Sequence, residues 1–169
     1  MRCFPKALLV ATALLVPTPL LAQLETLGST YRPMVIVAPS SNDPVLEDIR
    51  ITLRQSRNAL ADRDVIVLTV TEDDVSIWDP ALEAVPNQVF DPDRLREVYG
   101  SAGQAVSITL VGKDGGIKDR GTAPGDIQDM LDLIDTMPMR QRELEARARE
   151  AERREEIENR MWGGETFGR

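Results

Sequence analysis

Histidine is absent from this chain of 169 residues, and its single cysteine, Cys3, lies in a segment that we expect to be removed from the mature protein. The mature chain then has no thiol and no imidazole. Disulfide bonds, thiol redox catalysis, catalytic triads that use histidine and histidine zinc sites are all excluded on that basis. Aromatic residues make up only 4% of the chain, which argues against an aromatic-lined ligand groove.

Residues 1–22 have the pattern of a Sec signal peptide. Arg2 and Lys6 form a short positive region, residues 7–16 are apolar, and Ala22 ends a processing site. This apolar run is shorter than the ~20 residues that span a bilayer. We therefore expect cleavage near Ala22 and a periplasmic or secreted product without a membrane span. A retained N-terminal anchor is the less favoured alternative.

Charge divides the mature chain into two parts. Residues 23–137 contain 20 acidic and 10 basic side chains, whereas residues 138–169 contain eight of each. An acidic surface repels nucleic-acid backbones and anionic membranes, so nucleic acid is not an expected partner. The sequence predicts one domain over residues 23–137 and a charged tail over residues 138–169.

Two continuous apolar runs, residues 34–38 and 65–70, have the length and composition of buried strands. Between them, Asp43 offers a helix N-cap and Pro44 a first helical residue. Apolar side chains then recur on one helical face at Leu46, Ile49, Leu53 and Leu60. Two buried strands joined by a helix favour a parallel pair.

The second half of the domain is predicted to contain a helix, an antiparallel hairpin and a last helix. Asp91 and Pro92 repeat the cap pattern, and Gly100 is expected to end that helix in the left-handed conformation. The last helix is predicted from Pro124. The strands of the hairpin are residues 106–111 and 117–120, joined by the glycine-rich turn 112–116.

The order strand, helix, strand, helix, strand, strand, helix predicts an α/β fold. It is a βαβ unit followed by a ββα unit, which is the arrangement of a three-layer thioredoxin-like core with a mixed four-stranded sheet. A charged C-terminal helix is expected to follow.

Residues 32–40, 110–118 and 133–140 carry a family resemblance. They resemble a family of uncharacterised bacterial secreted proteins related to the extracellular domains of equarin and the sushi-repeat-containing proteins. That family is regarded as thioredoxin-like and close to peroxiredoxins. The resemblance covers roughly residues 30–142 and implies a thioredoxin-like fold in an extracellular setting, while leaving the activity open.

The resemblance also implies where a redox centre would lie, just after the first strand at the start of the crossover helix. There the dipole of the helix would lower the pKa of a thiol. In this chain Asp43 and Leu46 occupy the positions where the peroxiredoxin pattern has a hydroxyl and the attacking cysteine. Thiol redox activity is therefore excluded.

Residues 71–90 lack clear periodicity and are predicted to form an extended loop. An acidic cluster in this loop, with Asp79 nearby, would suit a hard cation such as Ca²⁺, but it lacks the ligand spacing of an EF-hand. A solvated loop is the favoured interpretation, and no metal site is predicted. Trp78 is either a binding hot spot or, more often for a lone tryptophan, packed over the edge of a core. The cluster comprises Glu72, Asp73 and Asp74.

The tail is rich in Glu and Arg spaced four residues apart, which favours a solvated helix. Its apolar stripe is too thin for a stable coiled-coil seam, so the alternatives are a free helix, a partly disordered segment or weak tail-mediated oligomerisation of an otherwise monomeric protein. The four pairs are Glu143–Arg147, Glu145–Arg149, Glu150–Arg154 and Glu156–Arg160.

The sequence favours an exported, non-catalytic binding or interaction domain, with an unknown protein or envelope ligand as its partner. No catalytic residue and no cofactor are predicted. Loops at the carboxyl ends of strands commonly carry binding surfaces. Ser40 and Ser41 could instead bind an anion at the helix start, but Asp43 favours capping there. The alternative function is an enzyme of carboxylate or hard-metal chemistry. The candidate interaction surface comprises Pro39, Ser40, Ser41, Asn42 and Trp78.

Overall fold

The computed structural model describes residues 30–72, 74–81, 90–101 and 105–162. The predicted signal peptide, Asp73 and much of the predicted loop 71–90 lie outside the described residues. The described elements are β1 (Arg32–Val37), α1 (Pro44–Gln55), α2 (Arg57–Asp62), β2 (Val65–Val70), β3 (Val75–Trp78), α3 (Pro92–Tyr99), β4 (Ser107–Val111), β5 (Ile117–Gly121), α4 (Asp126–Thr136) and α5 (Pro138–Trp162).

The strands form one mixed sheet in the order β3-β2-β1-β4-β5. The central strand β1 runs parallel to β2 and antiparallel to β4, while β3 and β5 add antiparallel edges. The predicted α/β class, the parallel pair and the hairpin are confirmed. This architecture is compatible with a thioredoxin-like α/β fold.

The predicted number of strands was wrong, because a fifth strand, β3, lies within the segment that was expected to be an extended loop. It pairs with β2 from Val70 opposite Val75 to Val67 opposite Trp78. With only four residues, half-buried or exposed, β3 carries too little hydrophobic periodicity to be recognised. Its stability comes from pairing with β2.

Alternation along β1 separates two hydrophobic cores. Met34 and Ile36 pack on one face with residues of α1, α2 and α4, while Val35 and Val37 pack on the other with α3. Because both faces of the strand are covered, its sequence is continuously apolar from Met34 onward rather than alternating. The fold therefore has three layers, with helices on both sides of the sheet.

The start of α1 follows the cap prediction closely. The side chain of Asp43 accepts hydrogen bonds from the backbone N–H groups of Val45 at 2.8 Å and Leu46 at 3.3 Å, and Pro44 is the first helical residue. The helix ends sooner than the apolar spacing suggested. Ser56 separates α1 from the short α2, which carries Leu60 into the same core.

The predicted turn of the hairpin is confirmed at Gly112 to Gly116. The Gly112 N–H donates to the Gly116 carbonyl at 2.8 Å, and the Asp114 side chain accepts from the Gly116 N–H at 3.0 Å. Gly115 has φ +76°, a left-handed conformation in which a Cβ would be strained. Of the helices described, none has the length and apolar character to cross a membrane.

We expect Asp43→Ala to lower the free energy of unfolding by about 1 kcal/mol, because two N–H groups at the start of α1 lose their acceptor. Urea denaturation would measure the change as a lower midpoint at an unchanged slope. Asp43→Asn is the matched control, since asparagine keeps a capping oxygen. Equal losses for the two variants would show that charge rather than capping matters.

Candidate functional site

A cavity of about 360 Å³ lies at the carboxyl end of β1, and we call it the strand-end cavity. Four segments meet there: the end of β1, Glu72 shortly after β2, the last turn of α3 and the chain entering β4. The topology brings them together because β1 and β2 are parallel and β4 begins beside the end of β1. The cavity is lined by Val37, Ala38, Pro39, Glu72, Arg96, Gly100, Ser101 and Ala105.

The lining of this cavity combines an apolar floor with two opposite charges. Val37 and Ala38 are buried and belong to the two cores, and the Ala38 N–H donates to the Val70 carbonyl at 2.9 Å. Pro39, Ser101 and Ala105 are exposed. These five lining residues all have small side chains, and among them Ser101 carries the polar group.

Arg96 is the cation of the strand-end cavity. One terminal nitrogen, Nη2, donates to the Glu72 carbonyl, and Nη1 donates to Asp93 Oδ1 at 3.1 Å. The side chain is 26% exposed, but its partner Asp93 is 91% exposed. Exposed ion pairs contribute little stability, so the guanidinium is oriented by the Glu72 backbone without being neutralised by a buried anion.

Gly100 ends α3 in an extended conformation, with φ −67° and ψ 157°. The expected left-handed conformation was therefore wrong. The glycine is needed for a different reason: a Cβ at this position would overlap the Arg96 carbonyl, which accepts the Gly100 N–H at 2.8 Å. The close approach fixes the last turn of α3 on the wall of the cavity.

The carboxyl end of α3 is held against the sheet by three donors on one carbonyl. The Tyr99 carbonyl accepts from Ser107 Oγ at 3.1 Å, Thr109 Oγ1 at 3.4 Å and Arg120 Nη1 at 3.3 Å. Burial raises the pKa of the Tyr99 hydroxyl, and the charge of Arg120 opposes that increase. This anchoring makes the wall of the cavity a rigid part of the domain.

Of the predicted interaction residues, Pro39 alone lines the cavity, and the next three form the adjoining turn. Ser40 Oγ accepts from the Asn42 N–H at 3.2 Å, and Ser41 and Asn42 are exposed. The capping interpretation is confirmed, since Asp43 already accepts from two N–H groups of the first turn of α1. Those groups would otherwise have been available to an anion.

Trp78 lies apart from this turn. It ends β3 opposite Val67, three register positions away from the Val70–Val75 pair at the cavity end of the strand. The indole is half-buried and, like Ala59, packs against the core that contains Leu60. The structure therefore favours the packing interpretation of Trp78, and it does not bring the five predicted residues onto one surface.

Among the acidic residues after β2, Asp79 has a structural role. Asp79 is only 3% exposed, and its carboxylate accepts from the Ala81 N–H at 2.8 Å, which stabilises the turn after β3. Burial, together with the Asp79 carboxylate, raises the pKa of Tyr31. Within the described segments, no group of three or more potential metal ligands is found.

A charged cluster that the sequence did not reveal lies at the opposite end of β1, and we call it the basal cluster. Its centre is Arg32, which is 1% exposed. Glu143 of α5 accepts from Arg32 Nη2 at 3.1 Å and from Lys113 Nζ at 2.8 Å. Lys113 also donates to Asp64 at 2.9 Å. The cluster comprises Arg32, Asp62, Arg63, Asp64, Lys113, Asp135, Arg140, Glu143 and Arg147.

Arg140 and Arg147 extend the cluster along α5. Arg140, 2% exposed, donates to the Asp62 carbonyl at 2.7 Å and to Asp135 at 3.3 Å. Arg147 donates to the Asp62 side chain at 2.9 Å. The first three turns of α5 are thus docked on the domain through Arg140, Glu143 and Arg147, whereas residues 148–161 present exposed side chains.

Docking changes one of the four predicted pairs within the tail. The pairs at Glu145–Arg149, Glu150–Arg154 and Glu156–Arg160 form, at 3.8, 3.7 and 2.9 Å. Glu143 and Arg147 instead turn to partners in the domain. The expectation that the tail is solvated was wrong for the first turns of α5, where Arg140 is 2% exposed.

The pKa of Glu143 is set by two opposing effects. Partial burial alone would raise it, but the hydrogen bond from Lys113 and the charges of Arg32 and Lys113 hold it below the ordinary value of 4.5. Similarly, burial tends to raise the pKa of Asp135, and Arg63 and Arg140 lower it overall. Both carboxylates are therefore charged at neutral pH and stabilise the docked helix.

We expect Gly100→Ala to destabilise the protein by about 1–3 kcal/mol, because the last turn of α3 must move to relieve the overlap with the Arg96 carbonyl. Gly125→Ala is the matched control, since its added Cβ would meet no atom within 4 Å. Thermal denaturation of both variants would measure the effect. A Gly100→Ala protein as stable as the control would contradict the close approach.

We expect Glu143→Gln to lower the free energy of unfolding at pH 7 by about 1.5–3 kcal/mol, because the buried Arg32 guanidinium loses its charged acceptor. Because the pKa of Glu143 is lowered in the folded protein, its carboxylate stabilises the fold at pH values above the ordinary pKa of 4.5. That stabilisation is lost as the pH falls through the lowered pKa of the folded state. The difference from wild type should therefore shrink below about pH 4.5.

The control for this variant is Glu145→Gln, which removes a carboxylate that is 67% exposed and paired only within α5. Urea denaturation across the pH range should show little effect of this substitution. Equal destabilisation by the two variants would contradict a specific role for the basal cluster.

Comparison with known proteins identifies a family for this chain. A search of curated proteins found no match to this chain. A family model described as a domain of unknown function, DUF4174, matches residues 23–143. The matched region contains the whole described sheet and extends into α5 as far as Glu143 of the basal cluster. The chain therefore belongs to the DUF4174 family.

Proposed function

We propose that this protein is an exported, non-catalytic binding domain of thioredoxin-like fold and that the strand-end cavity holds its ligand. The observation that carries the proposal is the position of the cavity at the carboxyl end of β1, at a point where β1 has β2 on one side and β4 on the other. In α/β folds, ligands commonly bind in the crevice outside the carboxyl ends of the strands.

Residues at the start of α1 support a binding role over a redox role. Leu46 is fully buried in the core, and Asp43 is engaged as the cap of the helix. These are the positions to which the peroxiredoxin pattern would assign a thiol and a hydroxyl. With both used for packing and capping, the open surface of this end of the domain lies on the α3 side, in the strand-end cavity.

The first 22 residues support export, because their charge and apolar pattern is that of a Sec signal peptide. A relation to the extracellular domains of equarin and the sushi-repeat-containing proteins is proposed from the three resembling stretches. The partner is then a component of the periplasm or the extracellular space, either a protein or a smaller envelope ligand.

The proposal is tested with a photoactivatable amino acid placed at Ser101 or Ala105, two exposed residues of the cavity, in protein recovered from the periplasmic fraction. After irradiation, intact mass spectrometry should show the same added mass at both positions, whether the ligand is a small molecule or a protein. The matched control is Gln128, an exposed residue of α4 outside the cavity.

The control position should carry no such addition. If neither cavity position gains mass, or if Gln128 gains the same mass, the strand-end cavity is not the binding site. Recovery of the protein only from the cytoplasmic fraction with residues 1–22 intact would contradict export.

A further inference from the structure

We infer that the strand-end cavity binds a small zwitterion, namely a free α-amino acid with a small apolar side chain. This inference rests on the proposed function, since it names the ligand class of the same site. It follows from three features of the described lining: the cation of Arg96, the anion of Glu72 and a set of small apolar residues.

Arg96 supplies the group for the carboxylate of the ligand. A guanidinium carries five N–H donors in a planar fork, and two hydrogen bonds, to Asp93 and the Glu72 carbonyl, are found among the described residues. The bond to the Glu72 backbone orients the fork. In the pair with Asp93, the Asp93 side chain is 91% exposed. A ligand carboxylate can therefore replace Asp93 as the partner of Arg96 with little loss of free energy.

Glu72 supplies the group for the ammonium of the ligand. Glu72 lines the cavity and is exposed; Arg96 contacts its backbone carbonyl and forms its ion pair with Asp93 instead, which leaves the Glu72 carboxylate for a ligand. The carboxyl end of α3 at Gly100 adds the partial negative charge of a helix terminus beside it. Both features favour a positive group on this wall.

The size and floor of the cavity limit the rest of the ligand. A volume of about 360 Å³ is near the lower end for small-molecule sites, ~300–1,000 Å³. Val37, Ala38, Pro39 and Ala105 present small apolar surfaces, and the Ser101 hydroxyl donates to the Ala105 carbonyl at 2.9 Å rather than to the cavity. An amino acid such as valine matches this size and polarity.

The paired charges also distinguish a zwitterion from other anions. A phosphate or a dicarboxylate would meet one guanidinium and would be repelled by Glu72. The carboxyl terminus of a peptide would satisfy Arg96 but bring no ammonium to Glu72. A free amino acid is the small ligand that places both charges within one cavity of this size.

Isothermal titration with L-valine, N-acetyl-L-valine and L-valinamide tests the inference on the mature full-length protein. Each blocked compound lacks one of the two charges. Because charge-assisted hydrogen bonds contribute about 1.5–3 kcal/mol, each blocked compound should bind roughly 10- to 100-fold more weakly than valine.

Two cavity variants assign the charges. Arg96→Gln should weaken valine binding at least about 10-fold and remove the preference over L-valinamide, whereas Glu72→Gln should remove the preference over N-acetyl-L-valine. The matched controls are Arg94→Gln and Glu97→Gln, which disrupt an exposed pair of α3 outside the cavity. The controls should bind valine as wild type does.

Equal affinity for the three compounds, or no heat of binding up to about 10 mM valine, would overturn the inference. So would equal losses in the cavity and control variants. Unfolding midpoints of all four variants identify any loss that comes from misfolding. If amino acids fail to bind while Ser101 and Ala105 still gain a common mass on irradiation, the inference fails and the proposed function stands. If the cavity positions gain no mass either, both fail.

Discussion

The burial of β1 on both faces is the constraint on which the rest of the structure depends. With a single cysteine the chain has no intrachain disulfide, so the hydrophobic core must hold the fold together. β1 contributes to both cores and pairs with both β2 and β4. Its two ends then become the places where polar groups must be accommodated: Arg32 begins the strand within the basal cluster, and Val37 ends it at the strand-end cavity.

Burying Arg32 at the start of this strand determines what α5 does. An arginine that is 1% exposed requires charged or carbonyl acceptors, and it finds them in the Arg63 carbonyl at 2.8 Å and in Glu143. The tail therefore cannot be an independent appendage in its first turns. Beyond the docked turns, the ion pairs among the described residues lie within α5, and such exposed pairs support the helix itself rather than its position.

Sequence reasoning succeeded where the controlling interactions are local. The caps at Asp43 and Asp91 lie two or three residues from their donors, so spacing alone reveals them. β3 was not predicted because a strand of four residues depends on pairing with its neighbour. The conformation of Gly100 was not predicted because it depends on the nearby Arg96 carbonyl. No part of the basal cluster was predicted, since Arg32 and Glu143 are 111 residues apart in the sequence. Of the predicted site, Pro39 was placed at the cavity, but Arg96 was not foreseen because on α3 it resembles any exposed helical arginine.

The strand-end cavity and the basal cluster lie at opposite ends of β1, and this separation determines how a ligand in the cavity would affect the rest of the protein. The strand-end cavity is built from the end of β1 and from α3, and α3 is anchored through the Tyr99 carbonyl to β4 and β5. The basal cluster instead links β1, α2 and α4 to α5. The two sites share β1 but no side chain, and β1 is a packed central strand with little freedom to move. A ligand in the cavity would meet α3 as a preformed wall, which reduces the entropic cost of binding against that wall. For the same reason, α5 would remain docked whether or not the cavity is occupied.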